Sequence, residues 1–313
     1  MNETARYVQA IKCLSPPLFS KLVLLTEKIS TSVQEIRLRI NRPIAIITPT
    51  ITYYLTLDGG LTSTPIENLM QITSKSDILD TFHNICNYSV YAKQDEISNG
   101  FVTINGGHRA GICGTAVFEN DKITNIRDIS SINIRISNEY KGSAQNLIKT
   151  LGVIDGGILI CGPPCSGKTT VLRDMARILS LNISKNIALI DERGELAGTC
   201  CGIYQNDIGM CDVFDGYKKS VAMLQAIRSM SPDIIICDEI GSDEDIQAIE
   251  SSVNCGVTII ASVHSANESE LMQKKNIKKL FNLNAFNKIV FLSGRKTPGE
   301  IVKILKVSDV FDC

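Results

Sequence analysis

The segment that begins at Cys161 reads CGPPCSGKTTVLRDMARIL. Gly162, Gly167, Lys168 and Thr169 within it have the spacing G-x-x-x-x-G-K-T, which is typical of a phosphate-binding loop between a strand and a helix. Glycine lets such a loop turn its N–H groups inward around phosphate oxygens, and the positive end of the helix adds to the attraction. We therefore predict that this segment binds the phosphates of a nucleotide. The predicted contact residues are Gly162, Pro163, Pro164, Cys165, Ser166, Gly167, Lys168, Thr169 and Thr170.

A pair of acidic residues at the end of a predicted strand suggests that the nucleotide is hydrolysed. The apolar run 234–237 ends in Asp238 and Glu239, and the carboxyl ends of parallel strands meet at the ligand crevice of a sheet. Lys168 would reach the β- and γ-phosphates, while Thr169 and Asp238 would hold Mg²⁺. Glu239 would polarise the attacking water. The pattern predicts hydrolysis of ATP with Mg²⁺ as the metal.

Two further strand ends carry candidate site residues. NIALID (186–191) ends in Asp191 and Glu192; these acids could cap a helix, but their position favours a second metal residue and a second candidate base. TIIASVH (258–264) ends in His264, which we expect two strands away from the metal acids. A histidine there can contact the γ-phosphate and report its presence. A non-hydrolysing nucleotide switch is a further possibility, although Glu239 and His264 argue against it.

The surrounding patterns divide the chain into two predicted domains. Residues 1–140 read as a smaller mixed α/β domain, with a hairpin whose turn is Asn105-Gly106-Gly107. Residues 141–313 alternate short apolar strands with helices, which predicts a parallel sheet with helices on both faces, of the RecA-like P-loop type. Lys168 and Asp238 are far apart in sequence, and NIALID lies between them. We infer an inserted strand beside the nucleotide, as in energy-transducing ATPases.

Composition limits the alternatives. The 313 residues carry a formal net charge of -1, and no aromatic-basic platform is evident, so a nucleic-acid partner is not expected. A nucleic-acid-stimulated motor nevertheless remains the competing hypothesis. The 11 cysteines show no zinc spacing, which favours free thiols in a reducing compartment. The amino-terminal segment lacks the pattern of a secretory signal, and the apolar runs are too short to cross a bilayer.

The order of these motifs resembles that of the secretion ATPases, the hexameric motors of type II and type IV secretion and of pili. The resemblance is closer still to the stage III sporulation protein AA family and covers nearly the whole chain. Gly194 stands where that family often has serine, which leaves the acids in place. The matching segments are EIRLRINRP (35–43), GGHRAGICG (106–114), INIRI (132–136), DERGELAG (191–198), AIRSMSPD (226–233), CDEIG (237–241) and TIIASVH (258–264).

The resemblance implies a cytoplasmic ATPase of the mother cell that powers a transenvelope channel to the forespore. It also implies a hexameric ring of this chain and integral-membrane partners. Ring ATPases complete their sites across subunits with arginines that stabilise transition-state charge. Arg109 follows a Gly-Gly turn, so we predict that it projects from a hairpin tip into a neighbour's site. Other candidates for that role are Arg37, Arg39, Arg135, Arg193 and Arg228.

Overall fold

The computed structural model describes residues 3–182, 185–200 and 202–311. The chain forms two compact units, one of Met1–Asn138 with Cys200–Gln205 and the other of Glu139–Thr199 with Asn206–Cys313. The segment Cys200–Gln205 therefore groups with the amino-terminal unit although it follows the acidic box in sequence. No sequence pattern predicted that this segment groups with the amino-terminal unit.

Among the described residues, the amino-terminal unit contains five α-helices, one 3-10 helix (Tyr91–Lys93) and a seven-stranded antiparallel sheet in the order β4-β3-β2-β1-β7-β6-β5. α4 begins at Lys75 because Ser74 and Asp77 cap each other's backbone N–H groups in a capping box. The helices are α1 (Glu3–Ile11), α2 (Pro16–Leu22), α3 (Glu27–Ser30), α4 (Lys75–Ile85) and α5 (Gln94–Ser98), and the strands are β1 (Glu35–Arg39), β2 (Ala45–Ile47), β3 (Thr52–Leu55), β4 (Leu61–Thr62), β5 (Phe101–Ile104), β6 (His108–Glu119) and β7 (Lys122–Arg135).

Alternation along β1, β6 and β7 separates the two faces of this sheet. Ile36, Ala110 and Ile134 are fully buried in the amino-terminal core. The residues between them point to the opposite face, and Arg135 pairs with both Glu35 on β1 and Arg109 on β6. The outward face is therefore rich in arginine. Its arginines are Arg37, Arg39, Arg109 and Arg135.

The hairpin predicted at residues 105–107 is confirmed as the β5–β6 turn. A second hairpin, β6–β7, was missed. Its turn residues Asn120 and Asp121 have φ of 49° and 60°, the left-handed pair that a two-residue hairpin turn needs. Neither is glycine, so the sequence offered only a weak turn signal there.

The carboxy-terminal unit is a sheet covered by helices on both faces, as predicted. Strands β8 to β13 run parallel and β14 returns antiparallel along β13. The helices are α6 (Gln145–Leu151), α7 (Lys168–Asn182), α8 (Lys219–Ser229), α9 (Asp243–Asn254), α10 (Glu268–Gln273), α11 (Lys275–Asn282) and α12 (Ser308–Phe311), and the strands are β8 (Ile158–Gly162), β9 (Ile187–Asp191), β10 (Asp212–Asp215), β11 (Ile234–Cys237), β12 (Thr258–His264), β13 (Lys288–Leu292) and β14 (Ile301–Lys306).

The strand order β10-β9-β11-β12-β8-β13-β14 places an inserted strand beside the loop strand β8. The inserted strand is β12, whereas β9 lies beyond β11. His264 at the end of β12 is therefore one strand from Asp238, not two as we expected. β12 is later in sequence than β11 but pairs with both β8 and β11, and sequence order alone could not reveal this. Among the described residues we find no helix with the length and hydrophobicity needed to span a bilayer.

Candidate nucleotide-binding site

The predicted phosphate loop connects β8 to α7. Cys165 and Gly167 have φ of 61° and 87°, so the loop turns through the left-handed region that glycine favours. A Cβ on Gly162 would lie 2.4 Å from Oγ of Ser166, which explains glycine at that position. The Ser166 hydroxyl is buried without a hydrogen-bond partner. A tight loop with an orphaned hydroxyl inside it fits a phosphate group, whose oxygens would satisfy that donor.

Lys168 is only 5% exposed and lies at the mouth of this loop. Its Nζ donates to the carbonyl oxygens of Gly162 at 2.9 Å and Pro163 at 3.0 Å, and it lies 3.0 Å from Nδ1 of His264. Burial lowers the pKa of Lys168, and the nearby carboxylates oppose that shift. Phosphate oxygens would compensate the buried ammonium better than neutral carbonyls do, because hydrogen bonds between ions are stronger.

Thr169 and Asp238 form the candidate metal site. Oγ1 of Thr169 donates to Oδ2 of Asp238 at 2.5 Å. The other carboxylate oxygen, Oδ1, accepts from the hydroxyl of Ser262 and from the backbone N–H of Glu239. A hydroxyl and a carboxylate are oxygen ligands that suit Mg²⁺, which usually takes its remaining ligands from phosphates and water. Among the described residues, no group of three or more His, Cys, Asp and Glu side chains could hold a metal ion.

The side chain of Glu239, the candidate base, is held from two sides. Oε1 lies 2.7 Å from Nε2 of His264, and Oε2 accepts from Nη1 of Arg193 at 2.8 Å. A neutral His264 with its proton on Nε2 fits both of its contacts, since Nδ1 is then free to accept from Lys168. His264 therefore connects the lysine of the loop to the candidate base.

Asp191, which we predicted as a second metal ligand, holds the turn that follows β9. It is 2% exposed, and Oδ1 accepts the backbone N–H of Glu195 at 2.7 Å. Oδ2 accepts those of Leu196 at 3.1 Å and Ala197 at 2.8 Å. Both oxygens thus accept N–H groups from the turn of the acidic box, so Asp191 shapes this turn, and its role as a metal ligand stays a prediction.

Glu192 has a partner that sequence reasoning missed. Its Oε2 lies 2.7 Å from Nζ of Lys219, a buried lysine in the first turn of α8. Burial lowers the pKa of Lys219, but the hydrogen bond and charge of Glu192 outweigh this and raise it. Glu192, Lys219, Asp238 and Glu239 line one small cavity. A cation at a helix amino terminus interacts unfavourably with the helix dipole. The ion pair with Glu192, and not the helix, therefore explains why a lysine occupies position 219.

Arg109 does not project from a hairpin tip. It is the second residue of β6, and its guanidinium lies 4.6 Å from the centre of the Phe101 ring on β5. That prediction was wrong because the turn closes at Gly107 and β6 begins at His108. Of the other arginine candidates, Arg228 lies in the last turn of α8, and Arg193 contacts Glu239 of its own chain.

Comparisons with known proteins identify the family of the chain. A family model described as "Sporulation stage III, protein AA" matches residues 6–309. Stage III sporulation protein AA of Bacillus subtilis (strain 168) is 38% identical over 279 residues, which cover 87% of this chain and 86% of that protein.

Two X-ray structures of the ATPase DotB resemble the chain. The Yersinia pseudotuberculosis structure has a TM-score of 0.60 at 16% identity and covers 94% of this chain and 80% of that one. The Legionella pneumophila structure has a TM-score of 0.56 at 15% identity, with coverage of 88% and 76%. At these identities the likeness concerns the fold, and it confirms the predicted RecA-like architecture.

Proposed function

The chain belongs to the sporulation stage III protein AA family, and from this premise we propose that it is a Mg²⁺-dependent ATPase motor of the secretion-ATPase type. The observation that carries the proposal is the 2.5 Å contact between Thr169 and Asp238, which lie 69 positions apart in sequence. It joins the helix after the phosphate loop to the acid at the end of β11. Lys168 and Glu239 meet the two nitrogens of His264 beside it.

The proposed reaction uses these side chains in distinct roles. The loop N–H groups and Lys168 bind the phosphates of ATP. Thr169 and Asp238 hold Mg²⁺, which when bound supplies positive charge to the γ-phosphate and the leaving group. Glu239 accepts a proton from water as the water oxygen bonds to the γ-phosphorus and the bond to ADP breaks. Each Glu239 oxygen has one partner in this structure and keeps a further lone pair that can accept the proton.

We extend the proposal to a hexameric ring in which residues 141–313 form the motor domain. Residues 1–140 would then form the domain that completes a neighbour's site. The arginine-rich outward face of β1, β6 and β7 supports this role, because it presents several guanidinium groups and Glu35 as their acidic partner. Arg109 remains our candidate for the residue that acts in trans, now from a strand and not from a turn.

For the cell, we propose a peripheral protein of the mother-cell cytoplasm with integral-membrane partners. The Bacillus subtilis relative carries the name of a stage III sporulation protein, and we extend that process to this chain. Its partners would be membrane components of a channel to the forespore, which the motor domain drives through ATP hydrolysis.

The competing hypothesis, a motor stimulated by nucleic acid, is not favoured by these matches or by the net charge of -1. The test is ATP turnover by the purified chain with candidate membrane partners in liposomes, with empty liposomes, and with DNA. We expect stimulation by the partner liposomes alone. Stimulation by DNA and not by the partners would overturn the secretion-type proposal.

A further inference from the structure

The turn between β13 and β14, residues 293–300, packs directly against the phosphate loop. The backbone N–H of Gly299 donates to the carbonyl of Ser166 at 2.8 Å. A Cβ on Gly167 would lie only 2.8 Å from that same nitrogen. At the other end of the turn, a Cβ on Gly294 would lie 3.9 Å from Cγ of Pro163. The turn therefore contacts the loop through Gly299, and its other end lies close to Pro163.

The hydrogen bond from Gly299 to Ser166 affects the direction in which the phosphate loop points its backbone N–H groups. A trans peptide points its C=O and its N–H in opposite directions. Because the Gly299 N–H of the turn donates to the Ser166 carbonyl oxygen, the N–H of Gly167 in the same peptide faces away from the turn. The turn thus helps to orient the Gly167 N–H away from the turn, so that a bound anion can accept this hydrogen bond.

The turn is closed by backbone hydrogen bonds and carries two cations. Ser293 N–H donates to the carbonyl of Glu300 at 2.9 Å, and Thr297 N–H to that of Gly294 at 3.2 Å. Arg295 and Lys296 at its tip are exposed. Within the part of the chain that the structure describes, neither forms an ion pair. Exposed cations left unneutralised beside an anion-binding loop favour a polyanionic ligand.

The strand order fixes which end of the nucleotide this turn would meet. β8 lies between β12 and β13. On the β12 side, the contact of Lys168 with His264 and that of Thr169 with Asp238 mark the position of the γ-phosphate. The turn is on the β13 side of the same loop, away from those residues. A nucleotide with its γ-phosphate among the acids therefore extends its α-phosphate and nucleoside toward the turn.

We infer that the β13–β14 turn is a third part of the nucleotide site, in which Arg295 and Lys296 bind the α-phosphate and nucleoside end. This inference rests on the proposed function, because it assumes that the loop binds a nucleoside di- or triphosphate. The turn adds affinity that is independent of the γ-phosphate. It would therefore strengthen binding of ADP and ATP by the same factor.

The test is calorimetric titration of Arg295→Gln, Lys296→Gln and the double variant with Mg-ADP and with Mg-ATP. Lys306→Gln is the matched control, because Lys306 is an exposed lysine at the far end of β14. ATP titrations use the Glu239→Gln background to prevent turnover. The melting temperature of each variant, measured without nucleotide, checks that the fold is intact.

We expect Kd for ADP and for ATP to rise by the same factor in the turn variants. About tenfold per residue is the loss expected for one hydrogen bond to a charged group. Lys306→Gln should leave both values unchanged. Unchanged affinities in the turn variants would overturn the inference while the proposed function stands. A loss confined to ATP would place the two residues at the γ-phosphate and overturn it as well. If the unmutated chain bound neither nucleotide, the proposed function itself would fail.

Discussion

Nη1 of Arg193 lies 2.8 Å from Oε2 of Glu239 within the same chain. The opposite carboxylate oxygen contacts His264, so the candidate base has no oxygen without a partner in this structure. Arg193 is 62% exposed, and exposed ion pairs contribute little to stability. His264 is anchored by its contact with Lys168. The Arg193 contact is therefore the one that we expect to open when Glu239 accepts a proton.

We predict that Glu239→Gln retains bound ATP and stalls hydrolysis. Glutamine is nearly isosteric, so Thr169 and Asp238 keep their contact, but its amide cannot accept the proton of water. Loss of a positioned base should lower turnover by about a hundredfold or more. Single-turnover hydrolysis with enzyme in excess, together with ATP affinity, measures both effects. A fall of less than about fivefold would transfer the role of base to Glu192.

We predict that Lys219→Met lowers turnover by about tenfold with little change in KM, because Glu192, our second candidate base, loses the contact that orients it in the cavity beside Glu239. Lys219→Arg should recover part of the rate, since it restores a donor. Lys218→Met is the matched control, because Lys218 is the neighbouring lysine in sequence. Its side chain is 62% exposed, and its Nζ lies 3.9 Å from Oε1 of Glu244. Equal rates for the two methionine variants would show that Lys219 has no positioning role.

The sequence predicted the main residues of the site better than it predicted the residues that form hydrogen bonds with them. The loop, the acids after 234–237 and His264 carry local signals, because glycine spacing and strand ends can be read from the chain itself. Ser262, which donates to Asp238, lies inside an apolar strand, and only the adjacency of β11 and β12 reveals its role. The pattern does not show that residues 195–197 turn their N–H groups back onto Asp191, so the structural role of this acid was missed.

We predict that Arg109→Ala lowers turnover and leaves ATP affinity nearly unchanged, because an arginine that meets transition-state charge affects rate more than ground-state binding. Loss of its contact with the Phe101 ring should cost only about 0.5–1 kcal/mol of stability. If the site is shared, mixed rings of Arg109→Ala and Lys168→Ala subunits should regain activity. Inactivity at every mixing ratio, from subunits shown to co-assemble, would exclude Arg109 and turn attention to Arg37, Arg39, Arg135 and Arg228.

We predict that His108 makes the amino-terminal unit sensitive to acid. It is fully buried, and burial, together with the charge of Arg6, lowers its pKa to about 4. An unfolded histidine titrates near pH 6.5, so between these values the unfolded state binds the extra proton. Stability is complete above about pH 6.5 and falls toward pH 4, by about 2 kcal/mol at pH 5.

His108→Asn tests this linkage, because its amide oxygen can replace Nδ1 as the acceptor of the Ser137 N–H but does not titrate. Melting temperatures of both proteins at pH 8 and pH 5 should show a smaller acid-induced drop in the variant, whatever its stability at pH 8. An equal drop in the two proteins would show that other groups account for the acid sensitivity.

The most direct test of the central claim is single-turnover ATP hydrolysis by the unmutated chain and by Lys168→Ala, with enzyme in excess so that a slow basal rate is detected. Lys168 holds its charge at the mouth of the loop, so its removal should abolish ATP binding or hydrolysis while the melting temperature shows a folded protein. Lys278→Ala, at an exposed lysine of α11, should hydrolyse ATP at the unmutated rate. Hydrolysis by Lys168→Ala at that same rate would contradict the assignment of this loop as the ATP site.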